Sequence, residues 1–375
     1  MKIAINTLSI IPNKVGGAET FLVNLLKDLF KIDVGNEYLL IVSSNNKKTF
    51  NFNYQNVRFL ELKLNNNSRI KRIFFEQIFL PRMIKKENVD LFIAPGNTGL
   101  LFPPCDELLI IQSLHFFTCP ELFSPIKKSY LQRLVKFSCK KARKIVTVSD
   151  HTRRDIVKYT NVDINKISVI YEGVDYDFFN KKRNKISPDF ISRYNIRDKY
   201  IFSPTSLYDY KNNDLLIKAF AVLKKRKKIS HKLVIAGIDP SHKINKLKKI
   251  INKFDIEKDV IYLGSIEYKS MPFLYQNSDL TVFLSSYETF GLPILEAMAA
   301  GCPVLSSDKT SLPEVVGDAG TIVNPFKTEE VANKIYKLLI DKNIRERCIG
   351  KGLVRARRFS WESVAQRLMN VYSNL

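Results

Sequence analysis

Leu280-Thr281-Val282-Phe283-Leu284-Ser285-Ser286-Tyr287-Glu288-Thr289-Phe290-Gly291-Leu292-Pro293-Ile294-Leu295-Glu296-Ala297-Met298-Ala299-Ala300-Gly301 is the stretch whose reading decides the fold. The apolar run Leu280–Leu284 reads as a buried strand. Pro293 suits the first turn of a following helix, and Gly301 suits its C-terminal cap. Strand, short loop and helix make half of a βαβ unit. At the helix start, the backbone N–H groups of residues 289–292 turn outward to an anion. Glu288 stands beside that spot and Glu296 lies eight positions on. A carboxylate there can take a pair of ribose or sugar hydroxyls. The same two residues also suit the start of an ordinary helix, so spacing alone leaves both readings open.

Outward from this stretch the pattern repeats. The runs Lys2–Ile5, Tyr38–Val42, Val57–Leu62, Leu91–Ala94, Leu108–Ile111, Ile145–Val148 and Ser168–Ile170 alternate with amphipathic stretches in the first half. Tyr200–Phe202, Leu233–Ala236, Val260–Leu263, Pro303–Leu305 and Thr321–Val323 join Leu280–Leu284 in the second. The expected fold is α/β with two Rossmann-like, parallel-sheet domains, 1–185 and 186–358. The polar, proline-punctuated Asn180–Pro188 is the expected linker. A final helix, with Val364, Leu368 and Val371 on one face, is expected to pack residues 359–375 back on the first domain. Open parallel sheets bind ligands beyond the carboxyl ends of their strands, so chemistry is expected on strand-exit loops facing a central cleft.

Composition narrows the class. With 375 residues, two domains are expected. Five cysteines, scattered and without a C-x-x-C pair, argue against a disulfide framework or structural zinc and fit a reducing compartment. Residues 1–6 turn polar too soon for a signal peptide, and no run of about 18 apolar residues exists to span a membrane. Sixty Lys+Arg against 37 Asp+Glu give a formal net charge of +23. That excess suits nucleic acid, an anionic membrane or anionic substrates, and compositional bias also explains part of it. No nucleic-acid-binding motif accompanies the charge, so a nucleic-acid partner is not expected. Gly16-Gly17, ahead of the apolar-periodic Phe21, Leu22, Leu25, Leu26 and Leu29, lets a phosphate approach a helix start, although paired glycines also mark plain turns.

Glu288 through Glu296, with Ala297–Val304 and Leu312–Gly320, resembles the signature of the family-4 glycosyltransferases, retaining nucleotide-sugar enzymes of GT-B fold. Gly16–Glu19, Thr147–Asp150, Val169–Asp175, Tyr210–Asn212 with the run to Phe220, Leu263-Gly264 and Phe359–Trp361 match in order and spacing, so the resemblance spans nearly the whole chain. It implies roles residue by residue. Glu288 is to hydrogen-bond the donor sugar, and Glu296 the ribose. Amides around Thr289, Phe290, Gly291 and Leu292 are to hold the distal phosphate. Lys211 is to neutralise the departing diphosphate, with Thr205, Gly16 and Gly17 also at the donor. His115 takes the place of a sugar-contacting histidine. One departure stands out: the Arg that usually precedes Lys211 is missing from Ser203–Tyr210.

The implied donor is a GDP- or UDP-linked hexose. No Asp-x-Asp is read as a metal motif, so neither a metal ion nor any other cofactor is expected. Two basic amphipathic stretches lie in the first half. One is Arg69–Phe75 with Arg82, Lys85 and Lys86. The other runs from Lys127 to Lys144, with Leu131, Leu134, Val135 and Ala142 as its apolar side. Both read either as solvated helix faces or as docking surfaces for anionic lipid. The second reading places the protein on the cytoplasmic face of the cell membrane, acting on a lipid-linked or oligosaccharide acceptor of a bacterial surface polysaccharide. A nucleotide-sugar epimerase of the same fold is the alternative, and a basic nucleic-acid-binding protein a more distant one.

Overall fold

The computed structural model describes residues 1–12, 17–65, 68–181, 196, 199–240 and 242–375. They form two compact units, Met1–Gly173 with Trp361–Leu375, and Val174–Ser360. The first holds a parallel sheet of seven strands: β1 (Lys2–Asn6), β2 (Glu37–Ser43), β3 (Val57–Leu62), β4 (Leu91–Ala94), β5 (Asp106–Ile111), β6 (Lys144–Thr147) and β7 (Ile167–Val169), in the order β3-β2-β1-β4-β5-β6-β7. The second holds a parallel sheet of six: β8 (Tyr200–Ser203), β9 (Lys232–Ile235), β10 (Val260–Tyr262), β11 (Leu280–Phe283), β12 (Val304–Ser307) and β13 (Thr321–Val323), in the order β10-β9-β8-β11-β12-β13. Central strands such as β4, β8 and β11 are buried along their length, which is why they read as apolar runs and not as alternations. Each expected run meets a strand whose ends differ by two residues at most.

Both sheets are wound in the same way. β1 lies between β2 and β4, in register Ile3↔Leu91 with β4. β8 lies between β9 and β11, in register Ile201↔Leu280 with β11. Strand order therefore reverses beside the first strand of each unit. Loops leaving the two strands on either side of that point diverge and open a crevice at the carboxyl edge.

The chain changes units at residue 173, not at 185. Tyr176–Asn180 forms a short helix of the second unit, anchored by aromatic packing that a charge-based reading does not see. Phe179 is fully buried with its ring 5.9 Å from that of Tyr275, and Asn180 Nδ2 donates to the Ala299 carbonyl at 3.0 Å. Of the expected linker, residues 182–188 lie outside the described residues.

The final helix, Trp361–Tyr372, belongs to the first unit as expected. It buries Trp361, Val364, Ala365, Leu368 and Tyr372. Trp361 meets the edge of Phe21 at 5.9 Å. A Cβ on Gly173 would come within 2.7 Å of the Trp361 ring and 2.8 Å of its backbone nitrogen, so this contact requires glycine. Tyr38 and Tyr372 both donate to Asp33 Oδ2, and all three are buried. Burial works to raise the Asp33 carboxyl, but bonds from Tyr372, Tyr38, Asn36 and the Gly35 backbone hold it below its ordinary value.

Candidate active site

The crevice of the second sheet gathers Lys211, Glu288 and Thr289–Leu292. Lys211 ends a 3₁₀ turn, Asp209–Lys211, in the loop after β8, and Glu288 lies in the loop after the neighbouring strand β11. Their side chains meet across the switch point, Lys211 Nζ donating to Glu288 Oε1 at 2.5 Å, each about 15% exposed. The Lys211 ammonium also lies 5.3 Å from the ring centroids of both Tyr210 and Phe283.

Backbone contacts lock the two loops together. Ser286 donates to the Tyr210 carbonyl through its N–H at 2.8 Å and its hydroxyl at 3.1 Å. Asn212, in the left-handed region at φ 56°, sends Nδ2 to the Leu284 carbonyl at 2.8 Å. A third loop, after β12, grips Glu288. Thr310 Oγ1 accepts from the Glu288 N–H at 3.0 Å, while Ser311 Oγ donates to the Glu288 and Phe290 carbonyls at 3.0 and 2.9 Å. Thr310 does this at φ 54°, a strained conformation for a β-branched residue and one often found beside working sites.

Gly291 caps the helix Leu292–Ala299 at φ 111°. A side chain there would be strained, and its Cβ would lie 2.7 Å from Leu312 Cδ2. Pro293 stands in the first turn and Gly301, at φ 74°, follows the last, as the sequence indicated. Phe290 is buried; Thr289 and Leu292 are half-buried beside it.

Glu296 is seated differently from Glu288. It is 4% exposed, and its two carboxylate oxygens accept from Tyr268 at 3.0 Å and Tyr275 at 2.9 Å. Burial pushes its carboxyl up to about 7, with the two tyrosine hydroxyls pulling the other way. Neither tyrosine was singled out in the sequence. Tyr275 sits only in an apolar helix pattern, and Tyr268 in a polar turn that carries no motif.

Two expectations are corrected, and one motif is added. Thr205 does not offer its side chain to a ligand: it is 2% exposed, with Oγ1 donating to Asn213 Oδ1 at 2.8 Å to hold the next helix start. An Asp-x-Asp is in fact present, Asp175-Tyr176-Asp177, but Asp175 Oδ1 accepts from the Phe178 N–H at 2.9 Å and so caps a helix. Among the described residues no group of three or more His, Cys, Asp and Glu could hold a metal ion. The apolar side of the second basic stretch is buried and faces no lipid, with Leu131, Val135 and Ala142 in the first unit's core cluster and Leu134 buried beside them.

In the first unit, Gly17 is exposed as the first residue of the helix Gly17–Ile32 after β1; Gly16 lies outside the described residues. His115 opens a short helix after β5, with Ser113 Oγ contacting its Nδ1. Of the first basic stretch, Arg72 turns inward, 3.7 Å from Glu76, whose other oxygen accepts from Asn6 Nδ2 at 3.0 Å. The side chains of Arg69 and Ile70 lie outside the described residues. Around both stretches Phe74, Ile78, Phe79, Leu122, Ile126 and Tyr130 are exposed.

The family described as Glycosyl transferases group 1 matches residues 188–354, and Glycosyltransferase Family 4 matches residues 15–178. O-antigen chain mannosyltransferase B of Escherichia coli is 30% identical over 263 residues, which is 70% of this chain and 68% of that protein. Serotype-specific mannosyltransferase WbdA of the same organism is 25% identical over 254 residues, 66% of this chain and 31% of that longer protein. The crystal structure of Anabaena Alr3699/HepE in complex with UDP-glucose superposes with a TM-score of 0.76 at 18% identity, covering all of both chains.

Proposed function

Because this chain belongs to the family-4, group 1 glycosyltransferases, we propose that it moves a hexose from a nucleoside-diphosphate sugar to a growing surface glycan. The observation that carries this reading is the Lys211–Glu288 pair. A cation and a carboxylate from adjacent strand-exit loops stand beside a helix start at the switch point of a parallel sheet. Mannose is the first sugar to test, since two of the most similar relatives are named mannosyltransferases. Either GDP or UDP serves as the carrier in this proposal.

In the reaction, the bond between the anomeric carbon and the diphosphate oxygen breaks, and the electron pair leaves with the diphosphate. The acceptor hydroxyl forms the new bond and its proton passes to the leaving phosphate. Lys211 and the amides around Phe290–Leu292 stabilise the growing negative charge, while Glu288 orients the sugar through its hydroxyls. Glu296 takes the ribose. On the first unit, Gly17 lets a phosphate near the helix start, and His115, its ring set by Ser113, contacts the sugar. We assign no side-chain nucleophile: Glu288 and Glu296 share one loop–helix unit and do not flank a bond as a glycosidase pair does. Same-face attack then retains the anomeric configuration, and Lys211 does the work of a metal. Transfer of labelled hexose in excess chelator, with NMR of the new linkage, tests this. The anomer should match the donor's, and loss of activity restored by magnesium or manganese would refute metal independence.

Peripheral attachment to the inner face of the cell membrane is part of the same proposal, now resting on different residues. Among the described residues no helix is long and apolar enough to cross a membrane. Phe74, Ile78, Phe79, Ile126 and Tyr130 are exposed close in sequence to Lys71, Arg82, Lys85, Lys86, Lys127 and Lys128. Apolar side chains beside cations suit the headgroup boundary of anionic lipid.

A further inference from the structure

Glu296 has two hydrogen-bond donors of opposite accessibility. Tyr275 is fully buried beneath it, whereas Tyr268, on the other carboxylate oxygen, is 45% exposed. Of the two, only Tyr268 connects the carboxylate with solvent. Its ring meets the fully buried Phe179 in a T-shaped contact at 5.7 Å. It stacks face to face on Phe178, with centroids 5.6 Å apart and planes 8° off parallel, and Phe178 lies on the short helix Tyr176–Asn180. Tyr268 itself sits in a one-turn 3₁₀ segment, Tyr268–Ser270, and not in a strand or a long helix.

We propose that Tyr268 is a displaceable cap on the ribose subsite. Its hydroxyl occupies the Glu296 Oε1 position that a ribose hydroxyl takes when a nucleotide binds. This rests on the reading that Glu296 is the ribose carboxylate. It explains how a glutamate 4% exposed can serve a ligand. The group covering it forms a single hydrogen bond to it and belongs to a side chain that reaches the surface. The exchange replaces one hydroxyl donor by another, so Glu296 is never left buried without a partner. The tyrosine hydroxyl passes to water as the sugar hydroxyl leaves it. Tyr275 stays on Oε2 throughout and keeps the carboxylate aimed. The cap also sets a specificity: a nucleotide without the ribose hydroxyls has nothing to exchange and does not displace it.

Calorimetric titration with GDP and UDP, and with their 2′,3′-dideoxy counterparts, tests the cap in the full chain. Tyr268→Phe removes the competing hydroxyl, so it should tighten binding of the better ribonucleotide by about 3- to 10-fold. Binding of the dideoxy nucleotide should rise by less than 2-fold. Tyr275→Phe removes a permanent partner and should tighten neither. An equal change for both nucleotides in Tyr268→Phe, or weaker ribonucleotide binding, would overturn the cap. Glu296→Gln tests the underlying assignment separately. It should weaken ribonucleotide binding and spare the dideoxy form; unchanged ribonucleotide binding there would remove the ribose reading, whatever Tyr268 does.

Discussion

At the scale of single residues, the account turns on Lys211 as an electrostatic catalyst. In the proposed reaction its attraction to the diphosphate would grow as the bond to the sugar breaks, so its removal should act on the transition state. We expect Lys211→Ala to lower kcat by roughly 10²–10³-fold, the scale for losing one preorganised donor. Near-normal kcat at saturating donor and acceptor, in a folded variant, would make Lys211 only the partner of Glu288. Two buried glutamates carry a different signature. Glu107, 1% exposed, has its carboxyl pushed from 4.5 up to about 7 by burial, against one bond from the Leu100 N–H. The folded state therefore holds a proton that the unfolded chain releases above pH 4.5. This contribution falls as pH rises from about 4.5 to 7 and stays lost above, with a cost on the order of 3 kcal/mol. Glu296 shifts in the same direction. Glu107→Gln should raise urea-unfolding stability at pH 8 and leave it little changed at pH 4.5; an equal effect at both values would contradict the assignment. Lys211 and Glu288 were legible because motif and loop position agreed. The tyrosines on Glu296 were not, because a hydrogen bond between residues 268 and 296 leaves no pattern in either local sequence.

At the scale of elements, strands and helix starts were the most readable parts. The run Leu91–Ala94 coincides with β4, since strands buried on both faces must be apolar throughout, and Thr321–Val323 coincides with the half-buried edge strand β13. Pro293 and Gly301 marked the ends of the Leu292–Ala299 helix for reasons of backbone geometry alone. Reading failed where tertiary packing decides. Tyr176–Asn180 joins the second unit through Phe179, although charge and proline placed the boundary some ten residues later. The final helix was readable, but its clasp was not. Asp33, Tyr38 and Tyr372 are buried, and Tyr372, more than 330 residues from the other two, brings the last helix in through hydrogen bonds to both the Asp33 carboxylate and the Tyr38 hydroxyl. Tyr372→Phe should cost about 1.5–3 kcal/mol, the range for a hydrogen bond to a charged acceptor, and lower the melting temperature by a few degrees. An unchanged melting temperature would mean that Trp361, Val364 and Leu368 hold the helix without the clasp.

At the scale of the whole molecule, both units carry the switch-point crevice that a nucleotide-sugar transferase uses, and family membership agrees with that architecture. The net charge of +23 alone pointed nowhere in particular, and the structure changes what it accompanies. Leu131, Leu134 and Val135 serve the core, and the exposed apolar groups of these stretches include Phe74, Ile78, Phe79, Ile126 and Tyr130. In sedimentation with vesicles, the protein should bind bilayers rich in phosphatidylglycerol. Replacing Phe74, Phe79 and Ile126 together by Ser should weaken binding at least several-fold, and equal binding by the triple variant would leave charge alone as the cause. The central claim is transfer itself, and one measurement addresses it most directly. Radiolabelled nucleotide hexoses, GDP-mannose first, are incubated with the chain and a lipid-linked glycan extract in the presence of chelator, with Lys211→Ala as control. The account predicts label in the lipid-linked glycan, release of the nucleoside diphosphate in equal amount, and a rate about a hundredfold lower or worse in the control. Conversion of one nucleotide sugar into another without transfer, or no turnover of any donor by the folded wild-type chain, would contradict it.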